Sequence, residues 1–353
     1  MKGRIRVLVV DDSLITVQTI TRILGRDPGI EVVGHALDGR RAIEEVSRLD
    51  PDVVTMDINM PHMDGIEATR AIVRQHGTPI VIVSAYAGAR SVAIQTMKAL
   101  MSGAIESVQK PSGEIGLDLD MVAAEMVAKV KAAAGARPRL DQTSPGRKAS
   151  LPPGGPSSWS SAKHPPIRLV AIGVSTGGPS TLERFVPRLP SDFPVPVALV
   201  IHMPHVFIPI LAGNLDSTSR IRVGVAEDGE VLAPGRMVIC PSGVHLEVTA
   251  DMRTRLVQGA PVNGCLPSVD VLFDSVARSL GGRALGVVLT GMGRDGARGL
   301  AAMREAGCVT AAQDEASSVV YGMPKSAVAA GGAAYEVGLG DMDRFLSHVA
   351  GAG

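Results

Sequence analysis

Residues 5–13 read Ile-Arg-Val-Leu-Val-Val-Asp-Asp-Ser, a short aliphatic run that stops at two acids and a serine. A strand this uniformly apolar is buried on both faces, as in a parallel sheet. Four similar runs follow at 31–36, 53–57, 80–84 and 105–109. Helical stretches lie around them at 13–25, 39–49, 65–76, 91–102 and 117–133. Five β-α units of this length predict an α/β domain with a parallel, doubly wound sheet and helices on both faces.

The composition then changes. Residues 134–166 collect Pro138, Pro145, Pro152, Pro153, Pro156, Pro165 and Pro166 among Ser, Gly and Lys, which reads as a linker. The single Trp159 lies in it, either exposed or as an anchor for the segment. From Ile167 the β-α rhythm returns, with strands expected at 169–173, 197–202, 237–240, 284–289 and 309–312. Helices are expected after Gly178, Ile208, Val269, Gly296 and Met323, and 244–249 with 255–258 reads as an antiparallel hairpin. The predicted organisation is a domain at 1–133, a linker at 134–166 and a second doubly wound α/β domain at 167–353.

Composition narrows the function. Lys plus Arg equals Asp plus Glu at 35 each, which disfavours a nucleic-acid binder. Aromatics are only 3% of the chain, so the cores are expected to rest on Val, Ile, Leu, Ala and Met. Cys240, Cys265 and Cys308 are widely spaced, so spacing supports neither a zinc site nor a disulfide framework. The run Val7–Val10 is too short for a signal peptide, and no stretch approaches the roughly 18–20 apolar residues that span a bilayer. The reading is a cytoplasmic protein that is not membrane-inserted.

Open α/β sheets carry their functional residues at the carboxyl ends of strands. In the first domain those ends hold Asp11, Asp12, Asp57, Ser84 and Lys110. Three converging carboxylates repel one another and suit a hard cation such as Mg2+. Pro111 after Lys110 is compatible with a cis bond that aims the ammonium inward. The competing reading makes Asp11 and Asp12 mere caps of the following helix. The stretches VLVVDDS, TMDINMPHMDG, VIVSA and VQKP resemble a two-component receiver domain. The resemblance implies phosphoryl transfer from a histidine kinase to Asp57. It also implies Mg2+ held by Asp12, Asp57 and the Asn59 carbonyl with help from Asp11, and Ser84 and Lys110 on the phosphoryl group. One departure stands out: Ser107 occupies the position where receivers usually carry a switching Tyr or Phe, and Tyr86 is the nearest aromatic in sequence.

In the second domain Gly173-Val174-Ser175-Thr176-Gly177-Gly178 follows an apolar strand and opens a helix. Strand, tight turn, serine and helix is a layout that exposes a nucleophile. The same turn could instead bind a phosphate or a nucleotide. A serine needs a base, and His202 ends the next strand, with His205 and His245 as competitors. The base needs an acid, for which Asp295 in the glycine-rich 289–296 segment is the candidate; the alternative is that it caps its own helix. The order Ser–His–Asp argues against the α/β-hydrolase fold, whose order is Ser–Asp–His.

The blocks IGVSTGGP, HMP, PSGVHL, APVNGCLPSVDVLFDSVA, LTGMGRDGARGL and AQDEASSVVYGMP resemble the chemotaxis protein-glutamate methylesterase family (CheB-type). The resemblance implies that Ser175 attacks a glutamyl methyl ester on a chemoreceptor, His202 moves its proton and Asp295 orients His202. It further implies an oxyanion contact from the Met292 N–H, support from Thr176, deamidation of certain glutamines, and no cofactor for the esterase chemistry. Ile201 stands where many members have Gln. The unphosphorylated receiver is expected to cover the Ser175 rim. Two rivals stay open: the same chemistry on a methylated protein of a non-motility pathway, and a receiver with a non-enzymatic, anion-binding output domain.

Overall fold

The computed structural model describes residues 3–85, 90–111, 118–136 and 165–351. Tyr86, Trp159 and most of the expected linker lie outside them. The chain divides into two units, Met1–Gln142 and Thr143–Gly353.

The first unit alternates β1 (Ile5–Val10), α1 (Leu14–Leu24), β2 (Ile30–Ala36), α2 (Gly39–Leu49), β3 (Val53–Met56), α3 (Gly65–Gln75), β4 (Ile80–Ser84), α4 (Arg90–Met101), β5 (Glu106–Gln109) and α5 (Asp118–Ala133). Its sheet is parallel, in the order β2-β1-β3-β4-β5. The order reverses beside β1, so a crevice opens past the ends of β1 and β3. Every residue of β3 and β4 is buried, as their uniform aliphatic sequence requires.

Local chemistry decides where the helices begin. Ser13, not an aspartate, caps α1: its hydroxyl accepts from the Thr16 N–H at 3.4 Å, while Asp11 Oδ1 accepts from the Ser13 N–H at 3.0 Å. Asp64 caps α3 by accepting from the N–H groups of Ile66 and Glu67. Gly65 has no substitute there, because a Cβ would sit 1.9 Å from the Asp57 carbonyl oxygen.

The second unit runs β6 (Leu169–Val174), α6 (Gly178–Phe185), β7 (Val197–Ile201), α7 (Ile208–Thr218), β8 (Arg222–Val225), β9 (Arg236–Ile239), β10 (His245–Val248), β11 (Thr254–Val257), α8 (Val269–Leu280), β12 (Ala284–Val288), α9 (Ala297–Glu305), β13 (Val309–Gln313), α10 (Met323–Ala329), β14 (Tyr335–Val337) and α11 (Met342–Ala350). Seven parallel strands form one sheet in the order β14-β13-β12-β6-β7-β9-β8, and β10-β11 is the antiparallel hairpin. Here the order reverses at β6. The chain first builds outward through β7, then returns to β12 on the other side.

The core of this unit is mainly Val, Ile, Leu, Ala and Met, as composition implies, with phenylalanines added. All five phenylalanines of the chain, Phe185, Phe193, Phe207, Phe273 and Phe345, are fully buried in it. Phe273 on α8 sits in the same cluster as Leu272, Val276, Leu300 and Met303. Truncating it to alanine would cost about 3–5 kcal/mol. No helix among the described residues is long and apolar enough to cross a membrane.

Candidate active site

In the first unit, β1 and β3 deliver Asp11, Asp12 and Asp57 to one place. A carboxylate oxygen of each lies within 4.8 Å of the others, with Asp11 and Asp57 buried and Asp12 exposed. Lys110 Nζ bridges the buried pair, 2.9 Å from Asp11 Oδ2 and 2.9 Å from Asp57 Oδ2. One ammonium thus faces three carboxylates. Burial pushes the Asp57 carboxyl up; Lys110 opposes this and Asp11 adds to it. An all-oxygen donor set with a surplus of negative charge fits a hard divalent cation. Asn59 is exposed, two residues past Asp57. Ser84 is buried, and its hydroxyl accepts from Thr96 Oγ1 on α4 at 3.0 Å. The Lys110–Pro111 bond is not cis: the cis peptide among the described residues is Leu266–Pro267. Lys110 reaches the carboxylates without it. Ser107 is also buried, and its carbonyl accepts from Lys129 Nζ, which Glu106 and Glu125 flank.

In the second unit, β6, β7 and β12 converge on a second rim. The Ser175 N–H donates to the Thr290 carbonyl beyond β12 at 3.0 Å, and the His202 N–H donates to the Val174 carbonyl at 3.2 Å. Ser175 is therefore held between the ends of its two neighbouring strands, half-buried. Its turn needs Gly177, whose φ is 75° and whose Cβ would lie 2.6 Å from Val319.

His202 Nε2 lies 2.9 Å from Asp295 Oδ2. A carboxylate accepts, so Nε2 carries a hydrogen, and in the neutral ring Nδ1 carries the lone pair. Nδ1 faces Cys265 Sγ at 3.8 Å. Among the described residues no hydrogen bond joins the Ser175 hydroxyl to the ring, a looseness common in sites without substrate. Of the three predicted residues, two are in direct contact and the third sits at the adjoining strand end.

Asp295 does not cap its own helix, whose N-cap is Gly296. It lies instead at the N-terminus of α8. Its carboxylate accepts from Val269 N–H at 2.7 Å, Ser268 Oγ at 2.7 Å, Asp270 N–H at 3.3 Å and Asn263 Nδ2 at 3.2 Å, besides His202. Burial alone would raise this carboxyl. The bonds from His202, Ser268 and Val269 outweigh it and hold the pKa at about 2. His202 shows the mirror case: burial opposes its charge, but Asp295 and Cys265 raise it to about 9.

His245 is no competitor for the role of base. It is buried, its Nε2 faces the Ala260 carbonyl at 3.1 Å, and its Nδ1 accepts from the Ser268 N–H at 3.1 Å. It steadies the loop that cradles Asp295. His205 is exposed in the turn before α7. Thr176 is buried, and its carbonyl accepts from Thr290 Oγ1 at 3.0 Å. Met292 is 44% exposed at the rim, and among the described residues its N–H has no acceptor. Sequence reading gave no role to Asn263, Cys265 or Ser268. The only signal was their presence in the quoted 260–277 block.

Comparison with known proteins gives this geometry its context. Residues 170–346 match the CheB methylesterase family and residues 7–118 the response regulator receiver domain. A protein-glutamate methylesterase/protein-glutamine glutaminase of Symbiobacterium thermophilum is 46% identical over 336 residues, 93% of this chain and 92% of that protein. One from Caulobacter vibrioides is 44% identical over 358 residues, 99% of each. The crystal structure of the Thermotoga maritima CheB methylesterase catalytic domain is similar at 38% identity and a TM-score of 0.50, covering 52% of this chain and 98% of that one. The chain belongs to the CheB methylesterase family, as a response regulator whose receiver domain precedes its methylesterase domain.

Proposed function

We propose that this chain is a protein-glutamate methylesterase and protein-glutamine glutaminase of chemotaxis adaptation, with Ser175 as nucleophile, His202 as base and Asp295 as the acid that orients the base. The Asp295–His202 hydrogen bond at the switch point of the seven-stranded sheet, beside Ser175, carries this reading. Because Nε2 is committed to Asp295, the base nitrogen is Nδ1, the reverse of the chymotrypsin arrangement.

The steps follow from those assignments. Ser175 Oγ attacks the γ-carbonyl carbon of a receptor glutamyl methyl ester while Nδ1 takes its proton. The oxyanion is met by the Met292 N–H, and Thr176 helps to hold the turn. Collapse expels the methoxy group, which takes the proton from His202 and leaves as methanol. A glutamine side chain releases ammonia by the same path. Water then attacks the acyl-serine, again losing a proton to Nδ1; collapse breaks the bond to Ser175 Oγ, which takes that proton back, and the free carboxylate departs.

In the receiver, Asp57 accepts a phosphoryl group from a histidine kinase, and Ser84 and Lys110 contact it. Asp11, Asp12, Asp57 and the Asn59 carbonyl would hold Mg2+, which when bound offsets the phosphoryl charge. The substrate is the methylated cytoplasmic part of a chemoreceptor. Domain limits at 1–133 and 167–353, with the linker at 134–166, accompany this reading.

The test is release of labelled methanol from a methylated receptor fragment, with and without acetyl phosphate. Ser175→Ala should fold normally and lose activity by a factor of about 10^4 or more. A folded Ser175→Ala protein with the parental rate would remove the nucleophile from the proposal.

A further inference from the structure

The contact between Cys265 and His202 has a use outside ester hydrolysis. We propose that Cys265 Sγ and His202 Nδ1 form a site for a thiophilic divalent cation, with Zn2+ as the type, whose occupancy blocks the esterase. The inhibitory part rests on the assignment of Nδ1 as the base; the binding part does not.

Geometry is the first argument. Zn–S bonds of about 2.3 Å and Zn–N bonds of about 2.0–2.1 Å at a tetrahedral angle place sulfur and nitrogen about 3.5–3.6 Å apart. The observed separation is 3.8 Å, so bridging needs a movement of only about 0.2–0.3 Å.

The second argument is what lies behind the ligand. A metal-binding histidine characteristically donates its other ring N–H to a carboxylate, which fixes the tautomer and makes the free nitrogen a better donor. His202 already does this through Nε2 to Asp295. Although one atom each of His202, Cys265 and Asp295 lies within 4.8 Å of the others, Asp295 is not a third ligand. Both of its oxygens already accept hydrogen bonds, from His202, Asn263, Ser268, Val269 and Asp270. The protein supplies two ligands. Both side chains are partly exposed, His202 with 17% of its side-chain surface, so water can complete the shell.

Ligand chemistry separates this site from the receiver rim. Sulfur with imidazole selects Zn2+, whereas an all-carboxylate set suits Mg2+. On binding, the Cys265 thiol loses its proton to solvent, as does Nδ1 where the ring is charged, and the Nδ1 lone pair enters the metal bond, so it can no longer take the Ser175 proton. The other thiols do not compete. Cys240 is buried and pushed up to about 12 by burial, and Cys308 is buried and pushed up to about 11.

The experiment uses the full chain with Mg2+ in large excess to occupy the receiver carboxylates. Zn2+ binding is followed by competition with a chromophoric chelator, and alkylation of Cys265 by iodoacetamide is followed by peptide mass. One Zn2+ should bind per chain and slow Cys265 alkylation. Cys265→Ala should weaken binding by more than about 100-fold, the upper end of what loss of a mere outer-shell partner costs. Each protein's esterase rate, relative to its own zinc-free rate, should fall with Zn2+ only while Cys265 is present. Equal Zn2+ affinity in Cys265→Ala, or alkylation of the unaltered chain that Zn2+ does not slow, overturns the site. Ser175→Ala keeps the zinc ligands and should bind Zn2+ like the parent, so a failure of the proposed nucleophile would show in its esterase rate and not in this measurement.

Discussion

The two rims are built alike and behave in opposite ways. Each lies where a parallel sheet reverses its strand order, and each hangs its key carboxylate from a strand-end loop. Asp57 shares one ammonium with Asp11 and takes a single backbone hydrogen bond, from Ile58. Its carboxyl is pushed up, chiefly by burial. Asp295 is also buried, yet five donors surround it, and those of His202, Ser268 and Val269 hold it at about 2. Donor supply, rather than burial, divides the roles. The under-supplied carboxylate is poised to gain a cation and a phosphoryl group, and the saturated one is a fixed anion that orients a histidine.

The strongest challenge to this contrast is Asp295→Asn. One oxygen would still accept from the cradle, but the other becomes an NH2 that faces donors, and the charge and the tautomer control disappear. The demethylation rate should fall by about 10^4, the size found when the acid of another triad is made an amide. A fall smaller than tenfold would mean that Asp295 only packs the N-terminus of α8.

Next in size is the pH dependence. His202 must be neutral to act as base, and its pKa is raised from 6.5 to about 9. The rate should therefore climb with pH well above 6.5, with its acidic limb centred near 9. For stability the sign is fixed by the same shifts. The raised His202 stabilises the fold fully below its unfolded value of 6.5, and this is lost as pH rises through about 9. The depressed Asp295 stabilises above its unfolded 3.8, and this is lost as pH falls toward 2. A pH–rate profile of kcat/KM that levels off by pH 7 would show that Asp295 and Cys265 do not raise the base.

A smaller effect is expected on the receiver side. If Asp57 and its neighbours lack donors, Mg2+ should stabilise the folded chain by about 2.7 kcal/mol at a hundred times its dissociation constant. Thermal unfolding with and without Mg2+ measures it, and Asp12→Ala should remove most of it. Asp57→Asn should in turn leave the unstimulated esterase rate in place and abolish stimulation by acetyl phosphate. An Mg2+ effect that survives Asp12→Ala would place the ion elsewhere.

Much of both rims could be read in the sequence because strand-end residues follow uniform aliphatic runs. β1, α2 and β4 have the predicted ends. The edge strands β8 and β14 were missed. Arg222–Val225 and Tyr335–Val337 are short and partly exposed, so they carry no aliphatic signal. α11 was missed despite a clear one, since Met342, Phe345, Leu346 and Val349 mark one helical face. The partners of Asp295 and His202 were hidden for a different reason. Cys265 meets His202 across 63 residues and His245 meets Ser268 across 23, through a hairpin and an α8 start whose placement only the folded sheet provides. Spacing along the chain separates the cysteines, and folding brings one of them to the base.

The smallest predicted effect concerns how the receiver manages with Ser107 in place of an aromatic. Ser84, proposed to contact the phosphoryl group, lies within hydrogen-bond distance of Thr96 Oγ1 of α4, whose single hydrogen is shared with the Val92 carbonyl. If the Ser84 hydroxyl turns toward Asp57 on phosphorylation it gives up that contact, and the bond then opposes the phosphorylated state. Thr96→Val keeps the shape of the buried side chain and removes the donor. It should cost the receiver about 1 kcal/mol of stability, the usual net worth of one hydrogen bond. It should also raise the fraction of esterase stimulation reached at sub-saturating acetyl phosphate, because less is lost when Ser84 moves. If stability falls as expected and the acetyl phosphate response does not change, Ser84 does not couple α4 to Asp57, and the link must run through the Lys129 cluster beside Ser107 instead.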